Sequence, residues 1–494
     1  MSSVNTNMGA VVSAANMAKF GRELDTSIER LSSGLRINSA KDDAAGMAIV
    51  SKMEAQVRGV GQAIRNATDA QKLIDTSEGA HVEALNILQR MRELAVQSAN
   101  DTNQALDRSF LNAEATQLIA EIDRIANQTT WNGEKILDGT FTSKQFQLGA
   151  NEGEKVSYSI DEARTGAIGN YDVNGTARVV AGVTASSIVV DTVTISGYIG
   201  SQDITVAANA TAKEVVALVN AQTASTGVSA TAVTKAKLHT LDATGTLTFT
   251  LSNGDQTASI TAIVSDTGDL RAVKNAINSH SGTTGISAEM DASSNGAVIL
   301  THSNGADISI QTYANTDTTG DISVTALDAD GAVVGSAVEL DVSAGGTADD
   351  AYVYGQIDFN SHKSFTVTAT KNTASTSFIN GSTSEDADLD AISAISLATA
   401  TTSENAITVI DGAISKINQS RADLGAISNR LDSTISNLTN VATNVEGSMS
   451  NIRDADFSVE TSKLTRAQIL TQAATSMLAQ ANTSKQSILA LLQG

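Results

Sequence analysis

Apolar residues recur every seven positions over a long stretch near the C-terminal end of the sequence. A period held this long predicts a helix with a narrow apolar seam, which needs a partner helix to cover it. At 1.5 Å per residue, the helix would span on the order of 70 Å. The other end of the same chain is the expected source of partner helices. The seam consists of Ile410, Ile417, Leu424, Leu431, Leu438, Val445 and Ile452.

Two polar residues, Arg421 and Ser428, occupy intervening positions of this helix where an apolar side chain is expected. Polar residues in a seam lower its stability but can set its register and its choice of partner. Two interpretations stay open. The two residues either make register-setting contacts between helices or copies of the chain, or they mark a short stretch that faces solvent.

Helices are also predicted at both ends of the chain, outside this seam. The first ends near Gly34, because glycine permits a helix to stop. A second covers roughly residues 42–99, and a third carries apolar residues from Leu111 to Ile125. Asn132-Gly133 then predicts a tight turn. The apolar positions of the first helix and of a last, C-terminal helix are Met17, Phe20, Leu24, Ile28 and Leu31, and Leu470, Ala474, Met477, Ala481, Ile488 and Leu491.

The middle of the chain, from about residue 176 to 400, has a different composition, rich in Thr, Ser, Ala, Val and Gly. Short alternating runs such as 246–250 predict half-buried strands. Residues 215–230 share a pattern with residues 273–288 at a constant offset of 58 positions. This repeat predicts two related α+β modules, at about 176–240 and 241–400.

Composition narrows the classes of function. The chain has 494 residues, a formal net charge of −22, no cysteine and no proline. Between Asn275 and His362 there is no lysine or arginine, which argues against a nucleic-acid partner. No apolar run is long enough to insert in a membrane, and the first residues do not resemble a cleaved signal peptide.

Candidate chemical sites are sparse. The sequence contains no phosphate-binding glycine loop, and its five histidines are scattered singly without a zinc-binding HExxH pattern. The segment Asp328-Ala329-Asp330-Gly331 resembles the start of a calcium loop but lacks the later ligands, so a hairpin turn explains it better. We therefore expect no enzymatic activity, no metal site and no cofactor.

Four long blocks near the two ends of the chain have a specific local sequence: RLSSGLRINSAKDDAAG at 30–46, LQRMRELAVQSAN at 88–100, RADLGAISNRLDSTISNL at 421–438 and LTRAQILTQAATSMLAQAN at 464–482. These blocks resemble bacterial flagellin. The resemblance covers about the first 170 and the last 95 residues, whereas the middle is variable in that family.

The resemblance implies a multidomain protein. An all-α base, formed by both termini, would combine a coiled coil with a helical rod, and β-rich α+β outer domains would be inserted between them. Residues 1–45 with 455–494 would form the terminal coiled-coil inner core. Residues 46–175 with 401–454 would form a helical rod with a β-hairpin, and residues 176–400 the variable outer region. The expected coiled-coil core residues are Met17, Phe20, Leu24, Leu31, Leu470, Met477, Ile488 and Leu491.

The family further implies an extracellular structural subunit that assembles with itself into the flagellar filament, the propeller for motility. It would be secreted unfolded through the flagellar export channel and held beforehand by an export chaperone. Flagellar cap and hook-junction proteins are further implied partners. Residues for subunit packing, and for contact with the host Toll-like flagellin receptor, would be Gln89, Arg90, Leu94 and Glu114. The alternatives are a hook–filament junction protein of the same family and a surface adhesin.

Overall fold

The computed structural model describes residues 6–182, 191–291, 293–342, 349–370 and 384–493, with side chains up to Ser484. The chain folds into two compact units. The first unit consists of Met1–Asp75, Ser143–Ser159 and Gly425–Gly494, and the second unit of Thr76–Thr142 and Ile160–Leu424. The domain boundaries expected near residues 45, 175 and 454 stay predictions.

The helices lie mainly at the two ends of the chain, as the hydrophobic pattern predicts. Within the described residues they are α1 Met8–Ser33, α2 Ala44–Ala99, α3 Ala105–Gln128, α4 Ala212–Ala221, α5 Thr223–Thr226, α6 Arg271–Asn278, α7 Ser281–Thr284, α8 Ala400–Arg453 and α9 Phe457–Gln493, with a 3-10 turn at Ile392–Ala394. Among the described residues, no helix carries an apolar stretch long enough to cross a bilayer.

Local signals explain where α1 begins and ends. The side chain of Asn7 accepts a hydrogen bond from the Ala10 backbone N–H at 3.1 Å, which caps the first turn. Gly34 adopts a left-handed conformation with φ +72° and donates its N–H to the Arg30 carbonyl. The predicted stop near Gly34 is confirmed, because glycine adopts positive φ without a Cβ penalty.

In the first unit, α1 and α9 pair antiparallel. The Asn7 side chain donates to the Ala481 carbonyl at 3.1 Å near one end, and Arg30 contacts Glu460 at 3.4 Å near the other. A hairpin of two strands packs beside α2, where the Asn66 side chain donates to the Gln147 carbonyl at 3.0 Å. Its strands are β3 Lys144–Gln147 and β4 Lys155–Tyr158.

In the second unit, parts of α2, α3 and α8 surround one helical core. Arg92 on α2 pairs with Asp411 on α8, with 2.6 Å between Nε and Oδ1. Asp123 on α3 accepts hydrogen bonds from the backbone and the hydroxyl of Thr165, which tie the following loop to the helix. The largest fully buried side chains here include Leu88, Met91, Leu94, Ile122, Ile136 and Leu137.

A short hairpin follows α3, with strands β1 Thr130–Trp131 and β2 Glu134–Lys135. The turn between them is formed by Asn132 at φ 50° and Gly133 at φ 81°. The predicted Asn-Gly turn is therefore confirmed, since both residues tolerate this conformation.

The β-rich middle of the second unit contains sheets of five, eight and four strands, among the described residues. Their orders are β11-β10-β14-β17-β6, then β12-β13-β9-β18-β5-β21 with β15 and β16 attached through β9, and β20-β19-β7-β8. The strands are β5 Gly169–Asn174, β6 Arg178–Ala181, β7 Asp191–Ser196, β8 Ser201–Val206, β9 Ser229–His239, β10 Gly245–Ser252, β11 Thr257–Val264, β12 Ser287–Asp291, β13 Ser294–His302, β14 Ile308–Asn315, β15 Ile322–Leu327, β16 Val333–Leu340, β17 Ala351–Tyr354, β18 Gln356–Ser361, β19 Thr366–Ala369, β20 Ser384–Asp386 and β21 Asp388–Ala391.

The sequence repeat corresponds to a repeated structural unit, as predicted. Strands β7 and β8, helices α4 and α5 and strand β9 form one copy, and β10, β11, α6, α7 and β12 form the other. In each copy one asparagine clamps the following strand. Asn220 exchanges two hydrogen bonds with the Ala230 backbone, at 2.9 and 2.8 Å, and Asn278 does the same with Ala288, at 2.7 and 2.8 Å.

Strands from a later part of the chain also pack into the first module, and the expected division near residue 240 stays a prediction. Ile357, Phe359 and Val367 from β18 and β19 pack into the core that contains α4. A separate core contains α6 and residues such as Val353 on β17. The chain therefore builds the first module, then the second, and returns to complete the first, because β18 pairs with β9 and β19 pairs with β7.

Candidate functional site

The candidate site for a structural protein is the surface that its terminal helices leave for other molecules. On α1, the side that faces α9 repeats with a heptad period. Met17, Phe20, Leu24 and Leu31 are half-buried there. Their role in a filament core remains a prediction.

On α9, the side that faces α1 is built from smaller residues. Ala467 and Ala474 are buried, and Leu470 and Leu478 are half-buried. Small side chains let the two helix axes approach closely. Met477 lies elsewhere on α9, with 64% of its surface exposed. In the single chain Met477 therefore does not pack against α1, and its place in the coiled-coil core of a filament stays a prediction.

The remaining C-terminal candidates, Ile488 and Leu491, have side chains outside the described residues. In addition to these candidates, the terminal helices expose several large apolar side chains to solvent. Single exposed apolar residues are ordinary, but a group of them on one helix pair marks an interaction surface. The group comprises Met8, Val11, Val12 and Ile28 on α1, and Phe457, Val459, Ile469 and Met477 on α9.

The apolar seam of α8 is buried along part of its length. Ile410, Ile417 and Leu424 are buried in the second unit, and Leu431 is buried in the first. The last three seam positions, Leu438, Val445 and Ile452, are half-buried in the first unit. These three side chains retain accessible surface in the single chain, which a neighbouring molecule can cover.

The intervening polar position of α8 at Arg421 makes a specific contact. Its Nε donates to a carboxylate oxygen of Glu78 on α2 at 2.8 Å. Arg421 therefore makes a contact between two helices, and its role in setting their register stays a prediction. Ser428 is half-buried, and none of its described contacts distinguishes the two interpretations.

The surface of α2 and α3 carries the residues implied as packing and receptor contacts. Arg90 donates from Nε to Glu114 at 3.0 Å and from Nη1 to Glu93 at 2.9 Å. The hydrogen bonds that Arg90 donates to the carboxylates of Glu93 and Glu114 raise the pKa of Arg90, which keeps its charge constant. Gln89 is exposed beside it.

Leu94 differs from the other three residues of this group. Its side chain is fully buried, at 0% exposure. The expectation that all four lie on an exposed contact surface is therefore wrong for Leu94. On α2, Leu94 follows Leu88 and Met91 on the side that faces the helical core, so it supports the surface from beneath.

The β-rich part of the second unit contains an acidic cleft that sequence reasoning did not identify. Asp172, Asp358 and Asp390 line it, together with Asp330 from the turn between β15 and β16. Burial raises the pKa of Asp172 and of Asp358 to about 6 in each case. No sequence signal marks this cleft, since its residues come from distant strands.

The turn at Asp328-Ala329-Asp330-Gly331 is a hairpin turn, as the sequence predicts. Gly331 has φ 88°, and the Asp328 side chain accepts the Ala332 backbone N–H at 2.7 Å. Elsewhere, carboxylate oxygens of Asp242, Asp321 and Glu339 lie within 4.8 Å of one another. Acidic clusters of this kind are common on protein surfaces, and neither cluster by itself defines a metal site.

Three parts of the chain match models of known protein families: the N-terminal helical region, the C-terminal helical region and the repeat. Residues 4–142 match the bacterial flagellin N-terminal helical region, and residues 407–492 match the bacterial flagellin C-terminal helical region. The chain belongs to the bacterial flagellin family. The flagellin hook IN motif matches twice, at residues 192–241 and 246–304, which are the two repeated units described above.

Relatives of similar length support the same assignment for this flagellin. It is 37% identical to the B-type flagellin of Pseudomonas aeruginosa over 495 residues, covering 99% of each chain. It is 36% identical to a flagellin of Salmonella rubislaw over 519 residues, again covering 99% of each. FliC from Burkholderia pseudomallei, a solved structure, is similar at 18% identity and a TM-score of 0.29, covering 73% of this chain and 99% of that chain. The chain is thus a flagellar filament subunit, from a family of structural proteins.

Proposed function

We propose that copies of this chain assemble with one another into the helical filament through their terminal helices. The observation that carries this proposal is the exposed apolar group on α1 and α9. Burying each large apolar side chain contributes roughly 1.5–3 kcal/mol before ordering costs, so a second copy that covers them gains stability. Contacts between different surfaces of identical copies generate an open helical polymer. The filament lies outside the cell and acts as the propeller for motility.

Seeded elongation of the full chain, followed by electron microscopy, tests this proposal. We expect the unchanged chain to extend short filament seeds into long filaments. The double variant Ile469→Ser/Met477→Ser removes exposed apolar surface without altering a buried residue, and we expect it to elongate poorly. Ile263→Ser on β11, at a position with 74% exposure, is the matched control and should elongate normally.

The outcomes separate the alternatives. If the unchanged chain forms only short caps, the filament proposal fails and the hook–filament junction protein becomes the better interpretation. If the double variant elongates as fast as the unchanged chain, Ile469 and Met477 do not belong to the assembly contact.

Before assembly, the chain is proposed to pass unfolded through the flagellar export channel, with α9 held by an export chaperone. Leu470 and Met477 are the candidate contacts within the described side chains, and the exposure of Met477 supports this. Ile488 and Leu491 remain candidates from the sequence alone. Titration of the purified flagellin export chaperone against the chain tests the idea. Leu470→Ser/Met477→Ser should weaken binding, whereas Ile263→Ser should not.

In the monomer, the α2–α3 surface is proposed to bind the host Toll-like flagellin receptor, and in the filament to pack against neighbouring copies. The accessible residues are Gln89, Arg90 and Glu114, which form one polar patch. A receptor-reporter assay with monomer tests this. Arg90→Ala should lower the receptor response. Arg124→Ala, which removes an exposed arginine on α3 outside the patch, should leave the response unchanged.

Flagellar cap and hook-junction proteins are the proposed partners at the two filament ends.

A further inference from the structure

One groove in the first unit has a charge opposite to that of the whole chain. It lies between α1 and α9 and has a volume of about 430 Å³. Its basic residues are Lys19, Arg22, Arg30, Lys463 and Arg466, against the two acidic residues Glu23 and Glu460. The chain as a whole carries a formal charge of −22. This local excess of positive charge favours an acidic partner.

Some buried polar atoms at the floor of the groove have no hydrogen-bond partner among the described residues. Glu460 is only 4% exposed, and its Oε1 receives Lys463 Nζ at 2.8 Å and Arg30 Nη1 at 3.4 Å. Among the described residues, Glu460 Oε2 and Arg30 Nε have no hydrogen-bond partner. Buried polar atoms without partners are costly, so the charges at the floor of the groove are not fully balanced within the single chain.

An acidic surface lies on the same stretch of α1, outside the groove. Asp25 and Glu29 are exposed there, and Glu29 also accepts a hydrogen bond from the Asn38 side chain at 2.9 Å. The two carboxylates are separated by one helical turn, or about 6 Å along the axis. Lys19 and Arg22 are three residues apart, or about 4.5 Å, as are Lys463 and Arg466. The charges of the two surfaces therefore repeat at similar intervals.

We propose that the basic groove of one copy receives the Asp25–Glu29 surface of a second copy. This inference rests on the proposed assembly function and names the contact through which neighbouring terminal helices meet. The groove and the acidic surface lie on different sides of the same helix pair. When two copies meet, the groove of one copy and the acidic surface of the other are therefore still accessible to further copies. Such a heterologous contact continues from copy to copy instead of closing in pairs.

Charge reversal followed by a charge swap tests the contact in the full chain. Seeded elongation is measured by light scattering and checked by electron microscopy. Lys19→Glu/Arg22→Glu reverses the groove, and Asp25→Lys/Glu29→Lys reverses the acidic surface. Each double variant places like charges opposite one another, so we expect elongation to slow by at least about tenfold. The chain with all four substitutions again places opposite charges at the substituted positions, while Arg30, Lys463 and Arg466 stay basic, so elongation should recover in part.

Two controls keep the test specific. Lys19→Arg/Arg22→Lys preserves the charge and should elongate like the unchanged chain. Circular dichroism and thermal unfolding of each monomer show whether the exposed substitutions leave the fold intact.

Each outcome decides a different claim. If the unchanged chain does not elongate, the assembly function fails and this contact fails with it. If the unchanged chain elongates and both double variants keep pace, only the groove contact is wrong. If both double variants fail and the fourfold swap does not recover, the Asp25–Glu29 surface is not what the groove receives, and the choice of this contact with a second copy is overturned.

Discussion

Arg421 on α8 and Glu78 on α2 are joined side chain to side chain at 2.8 Å, and both are about one-third exposed. Arg421 occupies a position where the hydrophobic repeat of α8 expects an apolar residue. A partly buried ion pair at such a position penalises any register that separates the two charges. The contact therefore favours the observed position of α8 against α2 in the second unit.

We predict that Arg421→Ala lowers the free energy of unfolding by about 1 kcal/mol, because it leaves Glu78 without its partner. Denaturant unfolding of the monomer measures this. The pair Arg92–Asp411, which is almost half exposed, is the comparison, and Arg92→Ala should cost about 0.5 kcal/mol. A double-mutant cycle with Glu78→Gln that shows no coupling to Arg421→Ala would contradict the assigned contact.

His81 predicts a dependence of stability on pH. It is buried in α2 at 1% exposure, and neither ring nitrogen has a hydrogen-bond partner among the described residues. Burial lowers the pKa of His81 from 6.5 to about 4, although Glu78 and Asp161 act in the opposite direction and Arg421 adds to the lowering. The unfolded chain therefore binds this proton at a higher pH than the folded chain does.

The direction of the pH dependence follows from this difference between the pKa of His81 in the folded chain and in the unfolded chain. The stabilising effect is complete above about pH 6.5 and decreases as the pH falls toward 4, by roughly 3 kcal/mol. Urea unfolding measured between pH 7 and pH 4 tests it. His81→Leu should flatten this part of the curve, whereas the exposed His280→Asn should leave it unchanged. An unaltered slope in His81→Leu would assign the pH dependence to other groups.

Leu94→Ala should lower the free energy of unfolding by about 3 kcal/mol, because it opens a cavity beneath the α2 surface. Gln89→Ala, on the exposed side of the same helix, should change it by less than about 0.5 kcal/mol. Thermal unfolding of the monomer distinguishes the two. Equal, small effects would mean that Leu94 lies at the surface, as the resemblance implied, and not in the core.

The two repeated asparagine clamps should contribute equally. Asn220→Ala and Asn278→Ala each remove two hydrogen bonds to the backbone of a buried alanine, so each should lower the free energy of unfolding by about 2 kcal/mol. Asn275→Ala, on the exposed side of α6, is the matched control and should have little effect. Denaturant unfolding with a probe in each module checks this. If only one of the two substitutions lowered the free energy of unfolding, the two repeated units would not share a stabilising asparagine clamp.

Much of the fold could be predicted because its signals are local. The end of α1 at Gly34 and the turn at Asn132-Gly133 depend on backbone preferences of one or two residues. The long helix α8 follows from a period repeated many times, so single exceptions such as Arg421 do not obscure it. The repeated unit was visible because Asn220 and Asn278 recur with the same neighbours.

The candidate surface was less predictable, because a helical period does not say which side a partner covers. Met477 and Ala474 are both part of the apolar pattern of α9, yet only Ala474 is buried against α1. Leu94 belongs to a matching sequence block, and its burial depends on packing in the second unit. The groove at Arg30 and Glu460 joins residues from opposite ends of the chain, which no local signal connects.

By itself, the sequence determined the helical ends, the β-rich middle, the repeat and the flagellin family, since these depend on short-range preferences, periodicity and matching blocks. The tertiary structure alone decided which side of α9 faces α1, how β18 and β19 return to complete the first module, and which charges meet across the groove. Those features depend on contacts between residues hundreds of positions apart, and they are set by packing and charge in three dimensions.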